Sequence, residues 1–392
     1  MKLLALETSC DETAFAVFDF HSDREFTILS EQLNSQIEIH QEYGGVFPAV
    51  AKREHTKNVY PLFIASLEES GLLKKREHSV DVPQNILDTI SKLLERDSDN
   101  LELLVRFYEQ YEQPNIDIIA VTYGPGLEIA LWTGFNFARA LSVLLDAELV
   151  PTNHMEGHIY ASLMKRTGSN AGRRFSIQDP GFPNLNLLIS GGHTELVIAK
   201  SEHEYVKIGK TLDDAVGEAY DKSARLLGIP YPGGPQISKL ADEYRSANST
   251  NTLELPRPML HSKDYNFSFS GLKTAVRNLV QKQENLTDIF KQELSHELEE
   301  SISEVLIKKT KLAITEFGVE SLVIGGGVSA NNHLRSEFTK LCAEENIPLF
   351  LPDKKYTGDN GVMIGVAGYR RFINKKYNSF ETHVSGRLSL EI

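Results

Sequence analysis

Two histidines four residues apart, in His154-Met155-Glu156-Gly157-His158, are the sharpest chemical signal in this 392-residue sequence. Positions i and i+4 share one helical face, so both imidazoles can reach a single ion. The alternative for such a pair is a structural or surface role. The pattern is not the His-Glu-x-x-His of zinc proteases. Glu156 lies two residues after His154, about 200° around a helix, and cannot be the base that activates a metal-bound water. Peptide hydrolysis is therefore disfavoured. A carboxylate should complete the site, and Asp359, just before Asn360-Gly361 at a helix start, is the candidate. The same position equally suits an ordinary N-cap.

Phosphate recognition needs converging backbone N–H groups without bulky side chains in the way. Thr8-Ser9 and Ser190-Gly191-Gly192 both follow apolar strands and meet that requirement. Each belongs to a strand–turn–strand unit, Leu3–Phe20 and Leu185–Lys200, which suggests a duplicated chain with two phosphate turns facing one ligand. A third glycine stretch, Gly325-Gly326-Gly327, follows the strand Leu322–Ile324 and precedes a helix start at Ser329–Asn332. It offers close approach to a base and ribose as well as free helix donors. Tight strand–helix packing is its alternative.

The elements that must position these residues follow from periodicity. A mainly helical stretch is expected over Asn34–Ser70, a strand over Ile116–Thr122, and helices over Leu127–Leu145 and Asp213–Leu227. Ile289, Phe290, Leu294, Leu298, Ile302, Val305 and Leu306 mark a long amphipathic helix. The stretch SANSTNT at 246–252 reads as a loop. A small-residue helix with Gly365, Ala367 and Gly368 follows Asp359. Lys74–Glu112 stands apart as two amphipathic helices broken at Asp97, a hairpin with no chemistry of its own. The fold class is α/β with two duplicated lobes and a ligand cleft. The first lobe is 1–165, carrying the hairpin 74–112 and completed by 360–392; the second is 184–358.

Composition bounds the reading. A 41% apolar and 24% charged chain is globular, and two cysteines, Cys10 and Cys342, suit a reducing compartment. The expectation is a cytoplasmic protein without signal peptide or membrane span. A net charge of −13 speaks mildly against a dedicated nucleic-acid binder. Lys165, Arg166, Arg173 and Arg174, and Arg370, Arg371, Lys375 and Lys376, are candidate basic patches, with solvated charged faces as the alternative.

Nine ordered motifs carry a resemblance over nearly the whole chain. They are ETSCDET at 7–13, HQEYGGVFP at 40–48, HMEGH at 154–158, SGGHT at 190–194, DDAVGEAYDK at 213–222, YPGGP at 231–235, FSFSGLKT at 267–274, GGGVSAN at 325–331 and GDNGVM at 358–363. The chain resembles the tRNA adenosine threonylcarbamoyltransferases, the TsaD proteins of bacteria. That resemblance implies an actin-like, Hsp70-like duplicated fold. It also implies transfer of threonylcarbamoyl from threonylcarbamoyl-AMP to the exocyclic amine of the adenosine 3′-adjacent to the anticodon (position 37), in tRNAs reading codons that begin with A. By motif match, His154, His158 and Asp359 would hold one divalent metal, Fe(II) ahead of Zn(II). Leu188, Ile189, Ser190, Gly191, Gly192, Asp221, Gly234 and Asn331 would bind the adenylate. Asp11 and Glu12 would sit at the reacting centre, with capping of the first turn as their alternative. Partners implied are the tRNA anticodon loop, with Lys273 a candidate contact, a TsaB-type paralogue and a TsaE-type ATPase. The chain departs from the family in the insertion 74–112, in Glu128, Ile129 and Trp132, and in Ser238, where many members place an aspartate. The rival readings are an ATPase or kinase on the same fold, or a non-catalytic partner scaffold. The histidine pair discriminates, because phosphoryl transfer on this scaffold uses a catalytic acid and Mg²⁺.

Overall fold

The computed structural model describes residues 1–168, 172–247, 250–378 and 382–391. Two compact units emerge from its internal contacts. The first is Met1–Glu38, Val46–Gln178 and Asp359–Leu390, and the second is Ile39–Gly45, Asp179–Gly358 and the last residues. The polar stretch 246–252 lies partly outside the described residues, at 248 and 249.

In chain order the first unit carries β1 (Lys2–Glu7), β2 (Glu12–Phe20) and β3 (Glu25–Ser35), then, past the short helix α1 (Ile37–Gln41), α2 (Pro48–Glu69), α3 (Gln84–Leu93) and α4 (Ser98–Gln110). It continues with β4 (Ile118–Gly124), α5 (Glu128–Leu145), β5 (Glu148–Asn153), α6 (His154–Ser162), β6 (Met164–Arg166) and β7 (Arg174–Ile177). Its seven strands run in the order β5-β4-β1-β2-β3-β7-β6. Asn34 and Ser35 belong to β3 rather than to a helix, because Thr13 and Glu12 pair with them in the ladder.

The second unit holds β8 (Asn184–Ile189), β9 (Thr194–Ser201), β10 (Glu204–Lys210), α7 (Val216–Leu226), α8 (Gly233–Ser246), α9 (Ser270–Val280), α10 (Asp288–Phe317), β11 (Ser321–Gly325), α11 (Asn332–Glu345) and β12 (Leu349–Phe350). Its strand order is β10-β9-β8-β11-β12. The chain then returns to the first unit as α12 (Gly361–Ile373).

The internal echo is a repeated ladder. β1 pairs antiparallel with β2 and parallel with β4; β8 pairs antiparallel with β9 and parallel with β11. Alternation along β2 sends Phe15 and Val17 into the core with Val59 and Phe63 of α2 and Phe135 of α5. Its other face meets α12, where a Cβ on Gly365 would collide with the Phe18 ring and one on Gly361 would press on the Phe15 backbone. Tyr369, two turns after Gly361, stacks on Phe20 at 3.6 Å between ring centroids. Small residues at these positions let α12 lie directly on the sheet.

The inserted stretch is closed at its base by Arg76 N–H donating to Gln110 and Glu112 N–H donating to Lys74, each at 2.8 Å. Ile90, Leu94, Leu104 and Phe107 are buried in the same core as Phe63 and Leu141.

Three further expectations are corrected. α7 begins at Val216, not Asp213, since the Asp213 carboxylate accepts from Phe269 and Ser270 N–H and caps α9 instead. Ile289 is 71% exposed and is not part of the apolar stripe of α10. Arg370 and Arg371 form no basic surface patch, being 9% and 3% exposed. The other patch is partly spent on internal contacts: Arg173 pairs with Glu69 at 2.6 Å and Arg166 lies over the Phe175 ring.

Candidate metal centre and nucleotide pocket

β5 ends at Asn153, whose side chain accepts from the backbone of Met155 at 2.9 Å and of Glu156 at 3.4 Å and so starts α6 directly at His154. His154 and His158 therefore sit in the first and second turns of a helix that begins at a strand edge. Asp359 enters just before α12, and the N-cap of that helix is Asn360, whose side chain accepts from Met363 N–H at 2.9 Å. The capping role read as an alternative for Asp359 thus belongs to its neighbour.

The Oδ1 atom of Asp359 lies 3.4 Å from Nε2 of His154 and 3.2 Å from Nε2 of His158. One ligand atom from each of the three residues fits within 4.8 Å of the others. The His158 side chain is 1% exposed, and neither of its ring nitrogens makes a hydrogen bond. Apart from this charge contact with Asp359, no hydrogen bond replaces the solvation that the buried imidazole has lost. Two imidazoles and one carboxylate are a donor set that suits a divalent transition ion, so the residues present fit a metal.

His154 is oriented from behind. Its Nδ1 lies 3.2 Å from Oε2 of Glu7 and 3.1 Å from the Ser9 hydroxyl. Glu7 is wholly buried, accepts from the Thr122 hydroxyl at 2.5 Å, and also takes the backbone N–H of Ser9. The ring is held so that Nε2 points at Asp359, with its charged form favoured up to about 9: burial opposes that charge, while Asp359 and Glu7 favour it. Thr8 and Ser9, read as a phosphate turn, are both buried, and their hydroxyls contact Ala130 O and His154. Glu7 was not visible as a site residue from sequence, where it is one more polar residue at a strand end. Glu7→Gln is expected to weaken metal binding by roughly 10- to 100-fold while the fold persists. Titration of the purified apo protein with Zn(II) and a competing chelator measures this, and an unchanged affinity would show that Glu7 does not orient His154.

Asp11 and Glu12 lie in the same neighbourhood. Burial, and then the charges of Asp11 and Asp359, push the Glu12 carboxyl well up. Burial, followed by Asp11, Asp359 and Glu12, pushes the Cys10 thiol up, so Cys10 is poorly disposed to act as a nucleophile. Glu156, between the two histidines, is turned away from them and forms a buried ion pair with Arg371 of α12.

In the second unit a cavity of about 430 Å³ is lined by Gly191, Gly217, Tyr220, Asp221, Gly234, Ser238, Gly327 and Asn331, among others. A Cβ on Gly217 would come within 2.7 Å of Gly191 and Ser190 backbone atoms, so the start of α7 rests directly on the glycine turn. The Asp221 carboxylate accepts from Gly233 N–H at 2.7 Å and fixes the turn before α8. Asn331 caps α11 through Leu334 N–H at 2.8 Å and donates to Ser238 at 3.2 Å and to the buried Glu299 at 2.5 Å. Leu188 and Ile189 are fully buried strand residues and do not line the cavity. Ser190 and Gly192 flank Gly191 in the turn.

A family model for tRNA N6-adenosine threonylcarbamoyltransferase (TsaD) matches residues 27–81 and 108–366. The chain belongs to that family. A protein of that name from Persephonella marina is 39% identical over 378 residues, covering 95% of this chain and 90% of the relative. One from Thermosipho africanus is 37% identical over 372 residues, covering 95% and 94%. Residues 82–107, which include α3 and most of α4, are left unmatched by the family model. Among solved structures, full-length HypF in its phosphate- and nucleotide-bound form aligns with 95% of this chain and 46% of its own, at a TM-score of 0.50 and 10% identity. At that identity the likeness is one of fold, the actin-like α/β architecture. As a member of this family the chain is a tRNA-modifying acyltransferase. Among the described residues no helix is long and apolar enough to cross a membrane.

Proposed function

We propose that this chain transfers threonylcarbamoyl from threonylcarbamoyl-AMP to the exocyclic amine of adenosine 37, beside the anticodon of tRNAs reading codons that begin with A. The observation that carries the reading is the convergence of His154, His158 and Asp359 on one point, with His158 buried and unpartnered by hydrogen bonds. A phosphoryl-transfer enzyme on this fold has no use for two buried imidazoles aimed at a shared carboxylate oxygen.

The chemistry follows from these residues. The donor is a mixed anhydride, so the adenosine amine attacks the carbamoyl carbon, the bond to the phosphate oxygen breaks, and AMP leaves without a covalent enzyme intermediate. The raised Cys10 thiol agrees with this route. Gly191, Gly217 and Gly327 leave room for the adenylate against main chain, and Asp221, Gly234 and Asn331 shape the walls around it. His154, His158 and Asp359 would hold a divalent ion, Fe(II) or Zn(II), which would supply Lewis-acid polarisation of the donor's oxygens. Asp11 or Glu12 takes the proton that the attacking amine loses. The setting proposed is the cytoplasm, with the tRNA anticodon loop as partner, Lys273 among its contacts, and TsaB-type and TsaE-type proteins as helpers.

The test is mass spectrometry of tRNA nucleosides after incubation with threonylcarbamoyl-AMP, with and without the helper proteins. A threonylcarbamoyl adduct and one AMP per adduct are expected, with the rate falling as salt rises. Steady ATP hydrolysis without an adduct, undiminished in His158→Ala, would hand the assignment to the ATPase reading.

A further inference from the structure

His55 lies on α2, outside the ligand set, and is fully buried. Its two ring nitrogens face the turn between β1 and β2. Nε2 lies 3.0 Å from the Cys10 carbonyl oxygen. Nδ1 lies 2.8 Å from the Thr13 hydroxyl and 3.3 Å from the Gln36 side-chain amide. A carbonyl can only accept, so Nε2 carries the proton and Nδ1 is left to accept from Thr13 and Gln36. Thr13 and Gln36 are themselves buried, and the Gln36 N–H donates to the Asp11 carbonyl at 2.8 Å. One imidazole thus grips the residues immediately before and after Asp11-Glu12, and its neighbour Gln36 grips Asp11 from the side.

We propose that His55 is a positioning residue for the transfer reaction, fixing the backbone of residues 10–13 so that Asp11 and Glu12 meet the reacting amine. This rests on the reading that Asp11 or Glu12 handles the proton. The requirement is geometric. Losing one anchor of that turn frees its carboxylates to shift, and a misplacement of about 1 Å lowers a rate by roughly 10²-fold. A neutral ring with an enforced tautomer suits the task, since it supplies one donor and one acceptor in fixed directions with no rotatable hydroxyl.

The experiment compares His55→Ala, His55→Gln, Thr13→Val, Asp11→Asn and Glu12→Gln in the full chain. It reads kcat, KM for donor and for tRNA, bound metal, and hydrogen–deuterium exchange of the peptide spanning 10–13. His55→Ala is expected to lower kcat by roughly 10- to 100-fold. Both KM values should hold to within about twofold and metal content should be kept, since only transition-state positioning is lost. Exchange over 10–13 should quicken. His55→Gln, whose amide can still donate to the Cys10 carbonyl, should regain much of kcat, and Thr13→Val should lose part of it.

An unchanged kcat in both His55→Ala and Thr13→Val overturns the proposal. So does a loss that merely follows metal release or unfolding, or a glutamine variant no better than alanine. If the carboxylate variants lose kcat while His55→Ala keeps it, the His55 proposal falls alone. If the carboxylate variants keep kcat, the reading of Asp11 and Glu12 falls, and the positioning role falls with it.

Discussion

His158→Ala protein is expected to leave purification without its divalent ion and to modify tRNA at least about 10²-fold more slowly than the parent chain, because Lewis-acid stabilisation is worth several kcal/mol. The size of the effect follows from the site's construction. Only three ligands converge there among the described residues, and His158 is buried with no hydrogen bond to keep its place otherwise occupied. Alanine leaves two of the three ligands and removes one of the two imidazoles. Elemental analysis alongside the nucleoside assay decides the matter, with His154→Ala and Asp359→Ala as companions. Equal metal content in parent and variants would dismiss the site.

The second large effect concerns stability. Glu156 and Arg371 are 0% and 4% exposed in their side chains and pair directly, with Arg371 also donating to the Lys376 carbonyl at 3.2 Å. Glu156 lies on α6 between the two histidines, and Arg371 lies on α12, which begins two residues after Asp359. The pair therefore joins the two helices that deliver the three ligands. Arg371→Met leaves a carboxylate buried without its counter-charge and is expected to cost about 3–5 kcal/mol. In a unit of this size that lowers the melting temperature by roughly 6–20 °C. The double variant Glu156→Leu with Arg371→Met should recover much of the loss, since a well-packed apolar pair can replace a buried ion pair. Differential scanning calorimetry of the apo proteins tests both statements. A single variant melting with the parent would mean that Glu156 is solvated or protonated at no cost.

The parts of the site that sequence reveals are those fixed by local geometry. His154 and His158 are four residues apart on one short helix, and that spacing alone places them together. Asp359 was readable because a carboxylate before Asn-Gly at a helix start is presented rather than packed, although the capping role turned out to be that of Asn360. Helical phase also removes Glu156 from the metal, yet nothing in the local sequence points to Arg371, 215 positions away. Glu7 and Thr122 escaped for the same reason, as did the contact of Ser9 with His154. They meet His154 through the parallel register of β1, β4 and β5, which no short window of sequence contains. The misreadings have physical causes too. Asp213, read as the start of a helix, does cap one, but its partners are 56 and 57 residues further on. The strand–turn–strand echo was legible because alternation and turn chemistry are local, whereas the flanking strands β3, β5, β7 and β10 needed the assembled sheets to be seen.

The return of the chain through α12 has a thermodynamic consequence. His158 and Asp359 are about 200 residues apart, and the main segment of the second unit, Asp179–Gly358, lies between them in sequence. A bond bridging the two closes that whole stretch into a single covalent and coordinate ring. Closing a flexible ring of that length restricts the unfolded chain by about 5 kcal/mol on a simple polymer estimate. An ion bound there would be a staple as well as a reagent. A cell short of the metal would hold a chain that is both slower and easier to unfold, so scarcity would reduce the amount of this protein through turnover as well as its rate.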